Sequence, residues 1–95
     1  MFDPVNTYVT QMPSTGIVPL TLHGTVNDRF DLYTLQGGSI KDEVDNLPLT
    51  ANPTTVPTQL HWGLNTVCAV PHVTPQLVPS TAPESATCID VAFLP

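Results

Sequence analysis

The sequence predicts a mainly β protein: a small antiparallel β-sandwich or barrel-like domain with one short helix and extended Pro-rich arms. Three observations carry this. Apolar and polar residues alternate with period two over several short runs, which is the pattern of half-buried strands. Pro and Gly together number 16 in 95 residues, enough to punctuate a chain of short elements and too few to mark disorder. Only one stretch offers a helical spacing of apolar residues. A chain of 95 residues makes a single domain, 1–95, with a small core.

Residues 1–15 read as an N-terminal arm, in which Val5, Thr7 and Val9 alternate with Asn6, Tyr8 and Thr10 as a short strand able to pair with a sheet edge. Residues 16–70 form the body: a hairpin, a short helix and a long strand. Val18, Leu20, Leu22 and Val26 share one side, and beyond Asn27-Asp28-Arg29 the alternation resumes with Phe30, Leu32 and Thr34. The expectation is a β-hairpin closed by an Asx-rich turn, with an odd loop that matches Val26 to Phe30. Pro19 cannot donate to a ladder, so one side of its strand must face solvent, a bulge or a partner.

Gln36-Gly37-Gly38 ends that hairpin, and Ser39 is placed to cap a helix over IKDEVDN, with Asp42 and Glu43 in its first turn and Ile40, Val44 and Leu47 as its apolar stripe. Leu47 to Thr58 reads as a Thr- and Pro-rich loop. From Gln59 to Val70 the alternation returns on both faces, as expected of a strand covered on both sides. Pro71, Pro75, Pro79 and Pro83 then recur every four residues. They exclude a regular ladder over 71–85 and do not give the three-residue period of a polyproline ligand, so an extended arm carrying Val73, Leu77 and Val78 is expected. Residues 86–95 supply the terminal strand.

Charge is the anomaly. The chain has eight acidic residues, two cations (Arg29 and Lys41) and a formal net charge of −6. Nucleic acid and anionic membrane both demand Lys or Arg, so direct binding to either is disfavoured. From Asn46 to Pro95 only Glu84 and Asp90 are charged. Interface cores are depleted in charge, and the expectation is that other subunits cover this half.

No catalytic motif is present, and no enzymatic role is expected. His61, Cys68, His72 and Cys88 have metal-ligand chemistry but not the spacing of a zinc module, and five acids around the expected helix lack a calcium-loop pattern; no cofactor or metal is expected. Met1-Phe2-Asp3-Pro4 lacks the basic and apolar regions of a signal peptide, and no apolar run reaches transmembrane length. This predicts folding in a reducing cytosol, with Cys68 and Cys88 as free thiols; a Cys68–Cys88 bridge is the alternative.

Low charge, abundant Thr and Pro, short strands and proline-broken arms together resemble the small cement, decoration or minor coat proteins of viruses and phages. The resemblance implies a structural protein of a virion or similar shell, assembled in a host cytoplasm, partnered by protein subunits of a homo-trimer or coat lattice and using strand or arm exchange. The residues expected at the contact are Leu60, Trp62, Leu64, Val73, Leu77 and Val78. The alternative is an exported, disulfide-stapled binding module, adhesin-like or lectin-like.

Overall fold

A computed structural model describes residues 7–10, 16–76 and 87–93. Seven strands run in chain order: β1 (Thr7–Thr10), β2 (Ile17–Leu22), β3 (Arg29–Gln36), β4 (Ser39–Pro48), β5 (Thr54–Gln59), β6 (Gly63–Pro71) and β7 (Thr87–Phe93). They form a five-stranded sheet of order β1-β7-β6-β3-β4 and a two-stranded sheet of β2 and β5. All pairings are antiparallel except β1 with β7, which is parallel. The main class is thus as the alternation predicts. The core joins Leu20, Leu22, Val56 and Leu60 to Phe30, Leu32, Val67, Ala69, Ile89 and Val91. These are the alternate residues whose burial drives the two sheets together.

The expected β2–β3 hairpin does not form. Val26-Asn27 does turn the chain, with Asn27 at φ 78° and the Asp28 amide donating to the Thr25 carbonyl at 3.1 Å. The strands it joins diverge into different sheets: β2 pairs with β5, and β3 lies between β6 and β4. Two backbone bonds hold the turn to Leu49, one from the Asn27 amide to its carbonyl at 2.9 Å and one from its own amide to the Asp28 carbonyl at 2.8 Å. Pro19 stands opposite Pro57, each missing its donor in a sheet that has, among the described residues, no third strand to ask for one.

No helix is found among the described residues, and the segment expected to be one is β4. Gly37 and Gly38 are the two central residues of a β3–β4 hairpin turn, at φ 58° and 81°, and Gln36 pairs with Ser39. Positive φ at both central positions is the type I′ pattern, whose twist matches that of the strands it joins. The helical spacing of Ile40, Val44 and Leu47 arises from irregularities in β4. Asp31 is spanned by Asp45 and Asn46 together, so Val44 and Leu47, three apart, face Leu32 and Phe30 on the same side. A second shift at Lys41 leaves Ile40 opposite Leu35 on the other face. Lys41, Asp42, Glu43 and Asp45 lie along this sheet edge, where charge discourages a further strand.

The long strand expected over 59–70 is split in two. β5 begins inside the expected loop, the chain corners at Leu60–Trp62, and Gly63, at φ 91°, opens β6. β6 is central, and Val67, Cys68, Ala69 and Val70 are buried in succession because both of its faces are covered. On the outer face Tyr33, Cys68 and Val70 make a second cluster with Leu35.

The free-thiol expectation is overturned. Cys68 and Cys88 are directly opposite on β6 and β7, their Cα atoms 4.1 Å apart, and they form a disulfide. They stand 20 positions apart in the chain, but the antiparallel register puts their Cβ atoms on one face within reach. Of the expected extended arm only residues 71–76 are described. Pro71 ends β6, and His72 and Gln76 bond back to β3 and β4. Residues 77–85 lie outside the described residues.

Candidate functional site

The expected contact residues separate by environment. Leu60 is fully buried in the core and presents nothing to a partner. Trp62 and Leu64 are 59% and 58% exposed, the most exposed large apolar side chains among the described residues, and Val73 is 43% exposed. Leu77 and Val78 lie outside the described residues.

Trp62 is exposed on a turn that is held from beneath. Asn65, fully buried, accepts the His61 amide at 3.1 Å through Oδ1 and donates from Nδ2 to the carbonyls of His61 (2.8 Å), Val91 (3.2 Å) and Gly63 (3.4 Å). Gln36 Nε2 donates to the Trp62 carbonyl at 2.8 Å from the neighbouring hairpin. His61 Nε2 lies 2.5 Å from Asp42 Oδ2 on β4. An apolar side chain on so constrained a backbone loses little further freedom on docking, which favours its use as an anchor. Ile40, 45% exposed, flanks Leu35 at the same hairpin end of the sheet.

A second group of polar residues gathers on the outer face. Asp31, with no exposed surface, accepts the Asn46 amide at 2.9 Å and the His72 ring Nδ1 at 2.8 Å on Oδ1, and Gln76 Nε2 at 3.2 Å on Oδ2. The same Gln76 nitrogen reaches Asp45 at 2.7 Å, the Tyr33 hydroxyl at 3.1 Å and Glu43 at 3.3 Å. One amide nitrogen, with two hydrogens to donate, therefore lies within hydrogen-bond distance of three carboxylates and a phenol. Burial pushes the Tyr33 phenol up, with the charges of Glu43 and Asp31 adding to it. The Glu43 carboxyl is raised above the usual range chiefly because it shares a hydrogen bond with Asp45, then by burial and by the Asp45 charge. This arrangement ties residues 72–76 to the sheet and closes the bulge at Asn46.

Among the described residues no group of three or more His, Cys, Asp or Glu could hold a metal ion. The set His61, Cys68, His72 and Cys88 is not brought together as ligands, since its two cysteines are bonded to each other. Among the described residues no helix is long and apolar enough to cross a membrane.

Asn65, Gln36 and Gln76 are not singled out by sequence reasoning, and Asp31 enters it only as one of the five acids around the expected helix. Asp31 alone carried a signal, a charge inside an otherwise apolar alternation. The others become visible only once the register of β3, β4 and β6 is known. Compared with protein families, with characterised proteins and with solved structures, the chain gives no match.

Proposed function

We propose that this protein is a structural component of a virion or similar protein shell, docking on neighbouring subunits through the end of the sandwich that carries Trp62 and Leu64. The observation that carries the reading is the exposure of these two side chains, at 59% and 58%, on the 61–63 turn and the start of β6, whose backbone is fixed by hydrogen bonds from the buried Asn65. A tryptophan presented from a rigid backbone is the kind of residue that dominates protein contacts. A surface with only Arg29 and Lys41 as cations supports protein partners over nucleic acid. The Cys68–Cys88 bridge fits a particle surface, one of the oxidising settings in which disulfides persist.

Light scattering over a range of concentrations tests this. The expected mass is a multiple of the 10.2 kDa chain, falling to a single chain in Trp62→Ala/Leu64→Asp while the far-ultraviolet spectrum is retained. A wild-type monomer at every concentration, alone and with any co-purifying protein, would sink the proposal.

The disulfide also favours a second reading, an exported, disulfide-stapled binding module of adhesin or lectin-like type. On this reading the protein is a monomer whose mass does not respond to the Trp62 substitution.

A further inference from the structure

The Cys68–Cys88 bridge lies on the outer face of the five-stranded sheet, and its two ends have different surroundings. Cys68, on the central strand, is 2% exposed and packs in the cluster it makes with Tyr33 and Val70. Cys88, on β7, is exposed. The register carries the contrast across the sheet. Tyr33, Cys68 and Cys88 stand opposite one another in one row over β3, β6 and β7, so the buried Tyr33 lies on the side of Cys68 away from the bridge. On the side of Cys88 away from the bridge the row ends. β1 pairs with β7 only from Asp90 to Phe93, and among the described residues no strand stands beyond Cys88.

A thiolate breaks a disulfide by displacement at one sulfur, entering in line with the bond from the side opposite the sulfur that leaves. The bridge joins neighbouring strands, so its line of entry follows the row. For attack on Cys68 that side is filled by Tyr33; for attack on Cys88 it is the open margin of β7. Charge then selects among thiols. Asp90 lies two residues on from Cys88 on the same face, its carboxylate accepting the Thr66 hydroxyl at 2.9 Å, and Glu43 stands opposite Tyr33 at the other end of the row. A thiol with a carboxylate of its own meets like charge here, whereas an aminothiol brings a countercharge.

We propose that Cys88 is a site of thiol–disulfide exchange in the folded chain, selective for small aminothiols. The incoming thiolate bonds to Cys88 Sγ, the Cys68–Cys88 bond breaks with its electron pair passing to Cys68 Sγ, and that sulfur takes a proton from solvent. The incoming sulfur is oxidised and Cys68 is reduced, so the step needs no other oxidant. Its products are a mixed disulfide on Cys88 and a buried thiol on Cys68, which is placed to displace the adduct and restore the bridge. While the adduct lasts, β7 is held to β6 by its ladder alone. The inference holds for a shell component and for an exported module alike and rests on neither reading.

Treating the intact, oxidised chain with cysteamine, quenching early, capping released thiols with N-ethylmaleimide and locating both groups by peptide mass spectrometry tests it. The expected result is cysteamine on Cys88 with maleimide on Cys68, favoured over the reverse arrangement by about tenfold or more, whereas the chain unfolded in urea divides the adduct about evenly. A second thiol, 3-mercaptopropionate, reads the charge selection. Its rate on the native chain, divided by its rate on the unfolded chain, is expected to be about threefold below the same ratio for cysteamine at low salt, and the gap closes at about 1 M salt. Adducts shared evenly on the native chain, equal selectivity in the unfolded one, reaction only at urea concentrations that unfold the protein, or equal ratios for the two thiols at low salt would overturn the proposal.

Discussion

Asn65 shows how one side chain can decide a local structure. It occupies a core-facing position of β6, and every hydrogen bond it makes goes to backbone of the 61–63 turn or of β7. A buried amide costs free energy unless it is satisfied, and here its satisfaction is what shapes the turn. Glu43 lies at the other extreme, exposed and beside Asp45. Its carboxyl is raised in the folded chain, so folding takes up proton between the ordinary glutamate value and the raised one. The stability this group contributes is complete below its unfolded value and is lost as pH rises through the folded one. Glu43→Gln should therefore be more stable than wild type at neutral pH, by only ~0.2–0.5 kcal/mol because solvent screens an exposed pair. Urea unfolding at a series of pH values checks this: the difference should vanish below pH ~4, where glutamate is protonated in both states.

The β3–β4 hairpin is the element whose character the sequence conceals. Ser39 before an acidic first turn, and apolar residues at 40, 44 and 47, satisfy the helix template because irregular pairing in β4 displaces a two-residue pattern into steps of four and three. The informative residues were Gly37 and Gly38, a pair that fits the tip of a tight hairpin better than the end of a loop. Their left-handed φ values can be tested without steric confusion, since a Cβ at either position meets no atom within 4 Å. Ala at each should cost about 1–2 kcal/mol through backbone strain alone, whereas Gly37→Asn should cost less because asparagine tolerates that region. Thermal unfolding of the single variants measures the contrast, and equal losses for Ala and Asn at position 37 would contradict it. Alternation did reveal the material of β2, β3 and β6 and, for β2 and β3, which side faces the core; for the long strand it gave two covered faces and no choice between them. It could not reveal pairing partners, because β2 and β3 match each other in pattern as well as they match β5 and β6. The contact residues were legible only as apolar positions near the tryptophan: Leu60 and Trp62 share parity in sequence, but the corner at 60–62 buries one and exposes the other.

At the scale of the molecule, the scarcity of charge beyond Asn46 has a partly internal explanation. Val56, Thr58, Leu60, Asn65, Val67–Val70, Ile89 and Val91 are buried within the chain's own sandwich, so much of that tract is covered without a partner. Among the described residues of that tract, the large apolar side chains left exposed are Trp62, Leu64 and Val73. The same topology explains the role of the disulfide. β7 follows a long connection from β6, and β1 reaches the sheet only through β7, so one side of the five-stranded sheet depends on β7 being in place. Cys68–Cys88 joins β7 to the central strand and closes a loop with a sequence separation of 20, for which the chain-entropy model gives ~3 kcal/mol. For a domain of ordinary stability, about 5–15 kcal/mol, that is a large share. Cys68→Ala/Cys88→Ala should therefore lower the urea midpoint by an amount equivalent to ~3 kcal/mol, and amide exchange should accelerate in β7 and β1 more than in β3. The site-resolved exchange is the decisive part. A uniform loss would mean that the bridge acts on the unfolded chain alone, whereas a loss concentrated in β7 and β1 would show that it holds the sheet's far side to its centre.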